Sequence, residues 1–290
     1  MTPVARTRTE LAVARAALRR TVALVPTMGA LHEGHRSLLR HAREVADETV
    51  VSIFVNPLQF AAGEDLDRYP RRIEADLAMC AEEGVALAFV PSRAEMYPRE
   101  PVVRVVAGPM GQRLEGASRA GHFDGVLTVV AKLFGLVRPD VAVFGRKDAQ
   151  QLALVRAMVT DLDLPVRIEG AALIRDADGL ALSSRNAYLT AEDRVSALAL
   201  PRSLEAGVQA ARRGQAPSEI VAAARAVLDG QRGVDTDYVA LVDPDTFEDI
   251  DDGGHAARVY RQAVLAVAAR VGATRLIDNE YVDIDETVTG

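Results

Sequence analysis

Ten consecutive residues, Pro26-Thr27-Met28-Gly29-Ala30-Leu31-His32-Glu33-Gly34-His35, form the densest concentration of chemistry-bearing side chains in the sequence. They follow a short apolar run at 21–26 and precede a segment with helical spacing. That is where an α/β sheet presents ligands to backbone amides and to a helix N-terminus. Gly29 and Gly34 let the backbone approach a phosphate closely. His32 and His35 are three apart, so a turn or a first helical turn projects both toward one volume. Imidazoles there can donate hydrogen bonds to phosphate oxygens as charge develops during a displacement. Two other readings compete: a tight turn with ordinary exposed histidines, and a zinc site, for which two histidines leave the tetrahedral set incomplete.

Three further groups carry chemistry. Gln59 and Gln151 are neutral amides that both donate and accept, which suits the hydroxyl and carboxylate groups of a small acid; solvated surface glutamines are the alternative. Lys147 lies near the carboxyl end of a strand, just after Gly145 and Arg146, a suitable place for a cation on phosphates. Asp148 would cap the next helix. Ser183, Ser184 and Arg185 offer two hydroxyls and a fixed cation, a clamp for triphosphate oxygens, with ordinary Ser/Arg helix caps as the alternative. Cys80 falls on the apolar stripe of a helix and reads as core packing.

The elements that must position these groups alternate. Apolar runs at 21–26, 49–55, 85–90, 141–144 and 166–169 read as strands. Helical spacing marks 35–47, a segment through Ile73, Leu77, Cys80 and Ala81 that stops before Gly84, a segment from Val126 to Val137, and 149–160. Repeated β-α-β alternation predicts a doubly wound parallel sheet, Rossmann-like, with ligands bound outside the carboxyl ends of its strands. The pattern changes after Ala172. Residues 175–179 read as a charged turn, Thr190 with Asp193 as a capping box opening a helix, and Pro217-Ser218 as the start of another helix closed by Gly230. Strands are predicted at 237–242, 256–259 and 274–278, a helix near 262–269, and a solvated acidic loop at 243–252. The chain therefore divides into a Rossmann-like domain, 1–173, and a smaller α+β domain, 174–290, placed to close over a nucleotide.

With 290 residues, 49% hydrophobic and 26% charged, the chain has an ordinary globular balance and is long enough for about two domains. One cysteine cannot form an internal disulfide. Residues 1–20 carry Arg6, Arg8, Arg15, Arg19 and Arg20 with no apolar core between them, unlike a secretory signal, although arginine leaves a transit segment formally open. No apolar stretch approaches the ~18–20 residues of a membrane span. A formal charge of −7 argues against nucleic acid as main partner, since phosphate neutralisation wants a basic face. The expectation is a soluble cytoplasmic protein with small-molecule substrates.

The pair His32-Glu33-Gly34-His35 resembles the His-x-Gly-His signature of the nucleotidylyltransferase superfamily, and the longer string is similar to the pantoate–β-alanine ligase family. Asn56-Pro57-Leu58-Gln59-Phe60, Asp67-Arg68-Tyr69-Pro70, His122-Phe123-Asp124-Gly125-Val126, Gly145-Arg146-Lys147-Asp148 and Leu182-Ser183-Ser184-Arg185-Asn186 extend the resemblance in family order. It implies ATP-dependent condensation of pantoate with β-alanine through a pantoyl adenylate, with Mg²⁺ accompanying ATP and held mainly by phosphates, no residues of the chain being a dedicated metal site. It implies that ATP meets Met28, Gly29, Ala30, Leu31, His32, Glu33, Gly34 and His35; Gly145, Arg146, Lys147 and Asp148; the backbone of Ile174; and Leu182, Ser183, Ser184 and Arg185. His35, the proton donor of the family, would act with His32, Lys147 and Arg185 as the catalytic set. Pantoate falls to Gln59 and Gln151, β-alanine to Gln59. Arg119 and His122 are candidates for the active-site face without an assigned role. Arg146 departs from the glutamate common at its position, a reversal to which only a backbone contact is indifferent. The family also implies a homodimer through the first domain. Two rival classes share parts of this pattern: a nucleotidyltransferase that leaves its nucleotide on the product, which does not account for the glutamine motifs, and a protein that binds a nucleotide without turnover.

Overall fold

The computed structural model describes residues 1–61, 66–252 and 262–284. They form two compact units, Met1–Arg146 with Leu154–Ala172, and Lys147–Ala153 with Leu173–Gly290. The division thus runs at Ala172/Leu173 and also assigns the short stretch Lys147–Ala153 to the second unit.

The first unit is built on a six-stranded sheet, every pairing parallel. Its strands are β1 (Val4–Ala5), β2 (Val22–Thr27), β3 (Glu48–Ile53), β4 (Leu87–Phe89), β5 (Val141–Gly145) and β6 (Arg167–Ala171), in the spatial order β1-β4-β3-β2-β5-β6. Helices α1 (Arg8–Ala17), α2 (Glu33–Val45), α3 (Ile73–Glu82) and α4 (His122–Val137) belong to it, and α5 (Ala149–Asp161) runs from one unit's residues into the other's. The near-continuous apolar strands are buried as parallel strands covered on both faces must be: Val22–Val25, Val50, Val51, Ile53 and Val141–Phe144. Leu39 and Ala42 of α2 and Cys80 of α3 pack with Val25, Val51 and Val143 on one side of the sheet. Cys80 is fully buried, and burial pushes its thiol up to about 11, so it is core and unreactive.

Strand order reverses at β2. It pairs with β3 along its whole length, from Val22↔Glu48 to Thr27↔Ile53, but with β5 only at Ala23↔Val141 and Leu24↔Ala142. The carboxyl ends of β2 and β5 are therefore unpaired with each other at the topological switch point, where open α/β sheets receive ligands. Residues 1–20, read from their arginines alone, prove to hold a strand and a helix. Thr7 and Glu10 make a reciprocal capping box on α1, and Arg15 donates to Val137 O (2.8 Å) and Arg138 O (3.0 Å), fastening α1 to the end of α4.

The second unit carries an antiparallel sheet, β7 (Val234–Val242), β8 (Gln262–Val271) and β9 (Thr274–Asp283), with β8 central. Helices α6 (Ala191–Ala197), α7 (Ala199–Arg212) and α8 (Pro217–Asp229) precede it; Thr190 and Asp193 cap α6 as expected, and Gly230 closes α8. The helix predicted near 262–269 is instead the strand β8. Its alanines favour a helix in isolation, but every residue from Ala263 to Ala269 is buried, and a central strand covered on both faces overrides local propensity. The strand predicted at 256–259 lies outside the described residues. Within 243–252, Asp243 is buried and accepts from the amides of Asp245 and Thr246, so it builds its turn and is no solvated acid.

Candidate functional site

In the first unit the site begins where β2 ends. Gly29 has φ +87° and Ala30 φ +53°, so the chain turns through the left-handed region immediately before α2. A Cβ on Gly29 would lie 3.0 Å from both Asp76 Oδ2 and Ile53 Cγ2, which makes glycine necessary on steric grounds as well. The amides of the loop already have acceptors, three of them local and two on Asp76. Gly29 N donates to Thr27 Oγ1 (3.2 Å), Ala30 N to Asp76 Oδ2 (3.0 Å), Leu31 N to Asp76 Oδ1 (2.7 Å), His32 N to His35 Nδ1 (3.3 Å) and Gly34 N to His32 Nδ1 (3.1 Å). These N–H groups already have acceptors, and Gly29 supplies the left-handed backbone of the turn.

The same arrangement fixes the two imidazoles. α2 starts at Glu33, two residues before the predicted start, with His32 as its N-cap and His35 as the third helical residue of a capping box made from two histidines. Because each Nδ1 accepts a backbone N–H, the proton of each neutral ring sits on Nε2. The ring centroids are 4.2 Å apart at the amino end of a 13-residue helix. Two neighbouring imidazoles, tilted by 57°, plus the positive end of a helix dipole suit an anion. Glu33 is exposed and turns to Arg36 (2.9 Å).

Asp76 is the group that sequence reasoning missed. It lies on α3 among Ile73, Leu77 and Cys80, on the apolar stripe, where a buried carboxylate needs hydrogen-bond partners; that misplacement was the available signal. Burial pushes its pKa upward, against the two amides that favour its charged form.

Gln59 ends a 3-10 turn, Pro57–Gln59, after β3, and is nearly buried. Its Oε1 accepts from Asn56 Nδ2 (3.0 Å) and its Nε2 donates weakly to Met28 Sδ (3.4 Å), so it adjoins the histidine loop. Asn56 is itself held by Gly125 O (3.0 Å) and Tyr97 OH (2.9 Å), and burial lifts the Tyr97 phenol to about 12, keeping it a donor. The turn rests directly on α4: a Cβ on Gly125 would meet Leu58 O at 2.2 Å. Arg119 and His122 now acquire a place. His122 Nδ1 lies 2.9 Å from Gln59 O, its Nε2 is 3.0 Å from Arg119 Nη1, and Arg119 Nη2 donates to the same carbonyl (3.4 Å). They hold the backbone of Gln59. At the end of β5, Gly145 pairs with Ala171, and Arg146 donates to Gly170 O (3.1 Å), so its side chain is spent on β6.

The second unit brings together the other candidates. Lys147 and Asp148 lie in a 3-10 turn (Arg146–Asp148) that runs directly into α5, with Asp148 the residue before its first, Ala149. Lys147 Nζ is 3.8 Å from Asp148 Oδ1. Gln151 is half-buried in the first turn of α5. Leu182 N donates to Ile174 O (3.0 Å), and an Arg175↔Ala181 bridge closes the intervening turn around Gly179, φ +95°. Ser183 caps the following 3-10 turn, its Oγ accepting from Arg185 N (3.2 Å). The capping alternative is thus realised for Ser183, whose hydroxyl hydrogen remains to donate. Among the described residues, no three His, Cys, Asp or Glu side chains lie close enough to hold a metal ion, and no helix is long and apolar enough to cross a membrane.

Comparison with known proteins agrees over almost the whole chain. The family model for pantoate-beta-alanine ligase matches residues 1–281. The pantothenate synthetase of Acidothermus cellulolyticus is 63% identical over 276 residues, covering 95% of this chain and 90% of that protein. That of Thermobifida fusca is 58% identical over 287 residues, covering 95% and 94%. Among solved structures, pantothenate synthetase from Thermus thermophilus superposes with a TM-score of 0.90 at 47% identity, covering 96% of this chain and 99% of that one. A pantoate-beta-alanine ligase from Francisella tularensis, complexed with beta-gamma ATP and beta-alanine, gives 0.77 at 30% identity, with 97% of each chain covered. With a parallel sheet that reverses at β2, a histidine capping box beside it and this likeness along the entire length, the chain belongs to the pantoate–β-alanine ligase family.

Proposed function

We propose that the protein joins pantoate to β-alanine at the expense of ATP, releasing pantothenate, AMP and pyrophosphate. A carboxylate is a poor acyl donor, because its charge repels the amine and oxide leaves badly. Adenylation removes both obstacles: a pantoate carboxylate oxygen attacks the α-phosphorus and pyrophosphate departs. The β-alanine amine then attacks the pantoyl carbonyl and expels AMP, losing its proton to solvent. His35 donates its Nε2 proton toward phosphate oxygens, and His32, Lys147, Ser183, Ser184 and Arg185 spread the remaining charge. The roles of Met28, Gly29, Ala30, Leu31, Glu33, Gly34, Gly145, Arg146, Asp148, Ile174 and Leu182 in cradling ATP rest on the family resemblance. Mg²⁺ travels with ATP on its phosphates; the described residues offer no carboxylate cluster for it.

The observation that carries this reading is the tautomer-fixed histidine pair at the switch point, in a chain with 63% identity to a pantothenate synthetase. Product analysis with ATP, Mg²⁺, pantoate and β-alanine, each omitted in turn, tests it. Stoichiometric AMP that needs both acids is expected, with pyrophosphate exchange into ATP when β-alanine is absent. A nucleotide left on the product, or no turnover, overturns it. Gln151→Ala should weaken pantoate use while ATP binding stays near wild type, and Gln59→Ala should impair the β-alanine step as well; each change leaves an unpaired polar group of about 1–3 kcal/mol. Equal loss of ATP affinity in calorimetry would displace the acid pocket.

The reading includes a cytoplasmic homodimer formed through the first unit. Val102, Val103 and Val106 are 85%, 84% and 72% exposed, while the neighbouring amides of Val105 and Ala107 donate to Thr128 and Asp124 of α4. This holds the segment against α4 with its valines outward, a patch suited to a second copy. Val103→Asp should yield monomers in sedimentation velocity; an unchanged dimer would move the interface elsewhere.

A further inference from the structure

Two consecutive residues of β9 are buried, polar and outside every motif considered so far. Asp278, with its side chain 1% exposed, receives Arg175 through two bonds, Nη1 to Oδ2 at 2.6 Å and Nη2 to Oδ1 at 3.1 Å. The Asn279 amide also donates to Asp278 Oδ1 (2.8 Å). Asn279, itself buried, donates from Nδ2 to the backbone carbonyl of Lys147 at 2.7 Å. Neighbouring residues in a strand point to opposite faces, so one short step of β9 grips two different segments. Arg175 also donates to Gly179 O (3.2 Å), closing the turn that ties Ile174 to Leu182, immediately before Ser183-Ser184-Arg185. Asn279 holds the turn that carries Lys147. Sheet partners of the pair, Val267 and Ala266, belong to the central strand and are buried, which gives the step a rigid base.

A buried carboxylate is costly unless paired, and a bidentate guanidinium is the partner that fixes direction as well as charge. An asparagine whose amide donates to a main-chain carbonyl fixes a backbone position and has no charge to interfere with an anion nearby. We propose that Asp278 and Asn279 are positioning residues for ATP: they set the spacing between the Lys147 turn and the Ile174–Arg185 segment so that both engage the phosphates of one nucleotide. The proposal rests on the ATP-dependent reaction above. Neither side chain touches substrate; Asn279 acts through Lys147 and Asp278 through Arg175.

The test is epistasis in ATP affinity, measured by calorimetry on the full chain with a non-hydrolysable ATP analogue, beside steady-state KM for pantoate. Asn279→Ala should weaken the analogue about tenfold, the loss of one buried hydrogen bond expressed as an equilibrium constant, and leave the pantoate KM within about twofold. In a Lys147→Ala background the same change should add less than about twofold, since the group it positions is gone. Asp278→Asn should weaken the analogue in both backgrounds, because its arm is separate; Arg175→Lys reads that arm if Asp278→Asn fails to fold. Asn279→Asp, the same size but set as an acceptor against a carbonyl, should be at least as harmful as alanine and serves if Asn279→Ala fails to fold. Full additivity of Asn279→Ala with Lys147→Ala, an unchanged affinity, or a parallel rise in the pantoate KM would overturn the assignment. Wild-type protein that forms no AMP would overturn the reaction itself, a result separate from active wild type with unaffected variants.

Discussion

The turn that enters α2 and the turn that carries Ser183 are both capped by a side chain of their own, yet they are held in different ways. The first passes through φ +87° and +53°, and it is braced by a carboxylate 45 and 46 residues away in sequence, Asp76. The second enters from extended backbone at Ser183, φ −151°, and its cap is local: Ser183 Oγ accepts from Arg185 N, and Asn186 Nδ2 donates to Ala181 O. A left-handed turn stores backbone strain and needs a remote brace to persist; a 3-10 turn from extended backbone closes on its own neighbours. The histidine loop is therefore braced by the tertiary structure, whereas the cap of the serine turn comes from its own sequence.

Three substitutions break or sharpen that contrast. The largest effect belongs to His35→Ala, which removes the Nε2 donor and the acceptor of His32 N together; turnover should fall on the order of 10²-fold or more. Circular dichroism and melting should stay near wild type, because the half-buried ring fills no core. Near-normal turnover would remove the histidine from the chemistry, and collapse of the fold would reduce it to a cap.

Asp76→Asn comes next. One of its two amide partners would face an NH₂ in place of an oxygen, and the loop should lose ATP kcat/KM by about tenfold. The pH dependence sharpens this. Asp76 is held above the usual carboxylate range by burial, so the folded protein binds its proton more tightly than the unfolded chain does. Its contribution to stability is therefore fullest at low pH and is lost as pH rises from the unfolded value, about 3.9, through the raised folded one. Protonation nevertheless removes an acceptor from the loop. Activity should fall on acidification before melting temperature does, and the asparagine variant should lack that acid limb; an identical limb in both proteins would rule out Asp76 as its source.

The smallest effect is expected for Ser183→Ala. Loss of a cap on so short a turn should cost about 0.5–1 kcal/mol, less than about fivefold in ATP affinity by titration calorimetry. A loss as large as that of His35→Ala would mean that the hydroxyl contacts phosphate in the transition state, and the contrast between braced and self-closed turns would no longer explain the difference.

How much of this was legible in the sequence follows the same division between local and distant causes. The strands at 49–55 and 141–144 were visible as buried apolar runs, and Thr190-Asp193 as a cap, because each signal sits within a few residues. β8 was misread as a helix, since its burial on both faces depends on β7, β9 and the helices around them. The capping box Thr7-Glu10 was legible and passed over beneath the arginines. In the site, His32 and His35 were found from spacing, but their Nδ1 bonds, which decide which nitrogen can donate, required coordinates. Asp76, Asn279 and the Arg119–His122 pair act through partners 45 to 132 positions away, a relation that no local pattern records.

The close approach of Gly125 to Leu58 joins two segments that leave the ribosome at different times. By the time the ribosome has released β1 to β4 and α3, the histidine loop has Asp76 and its neighbouring strand, everything its amides require. Gln59 does not. Its carbonyl waits for Arg119 and His122, and the carbonyl that anchors Asn56 belongs to Gly125, on a helix made later. A nascent chain halted before α4 would thus hold a braced histidine loop beside an unfastened Gln59 turn, and one glycine on α4 leaves room for the backbone that completes it.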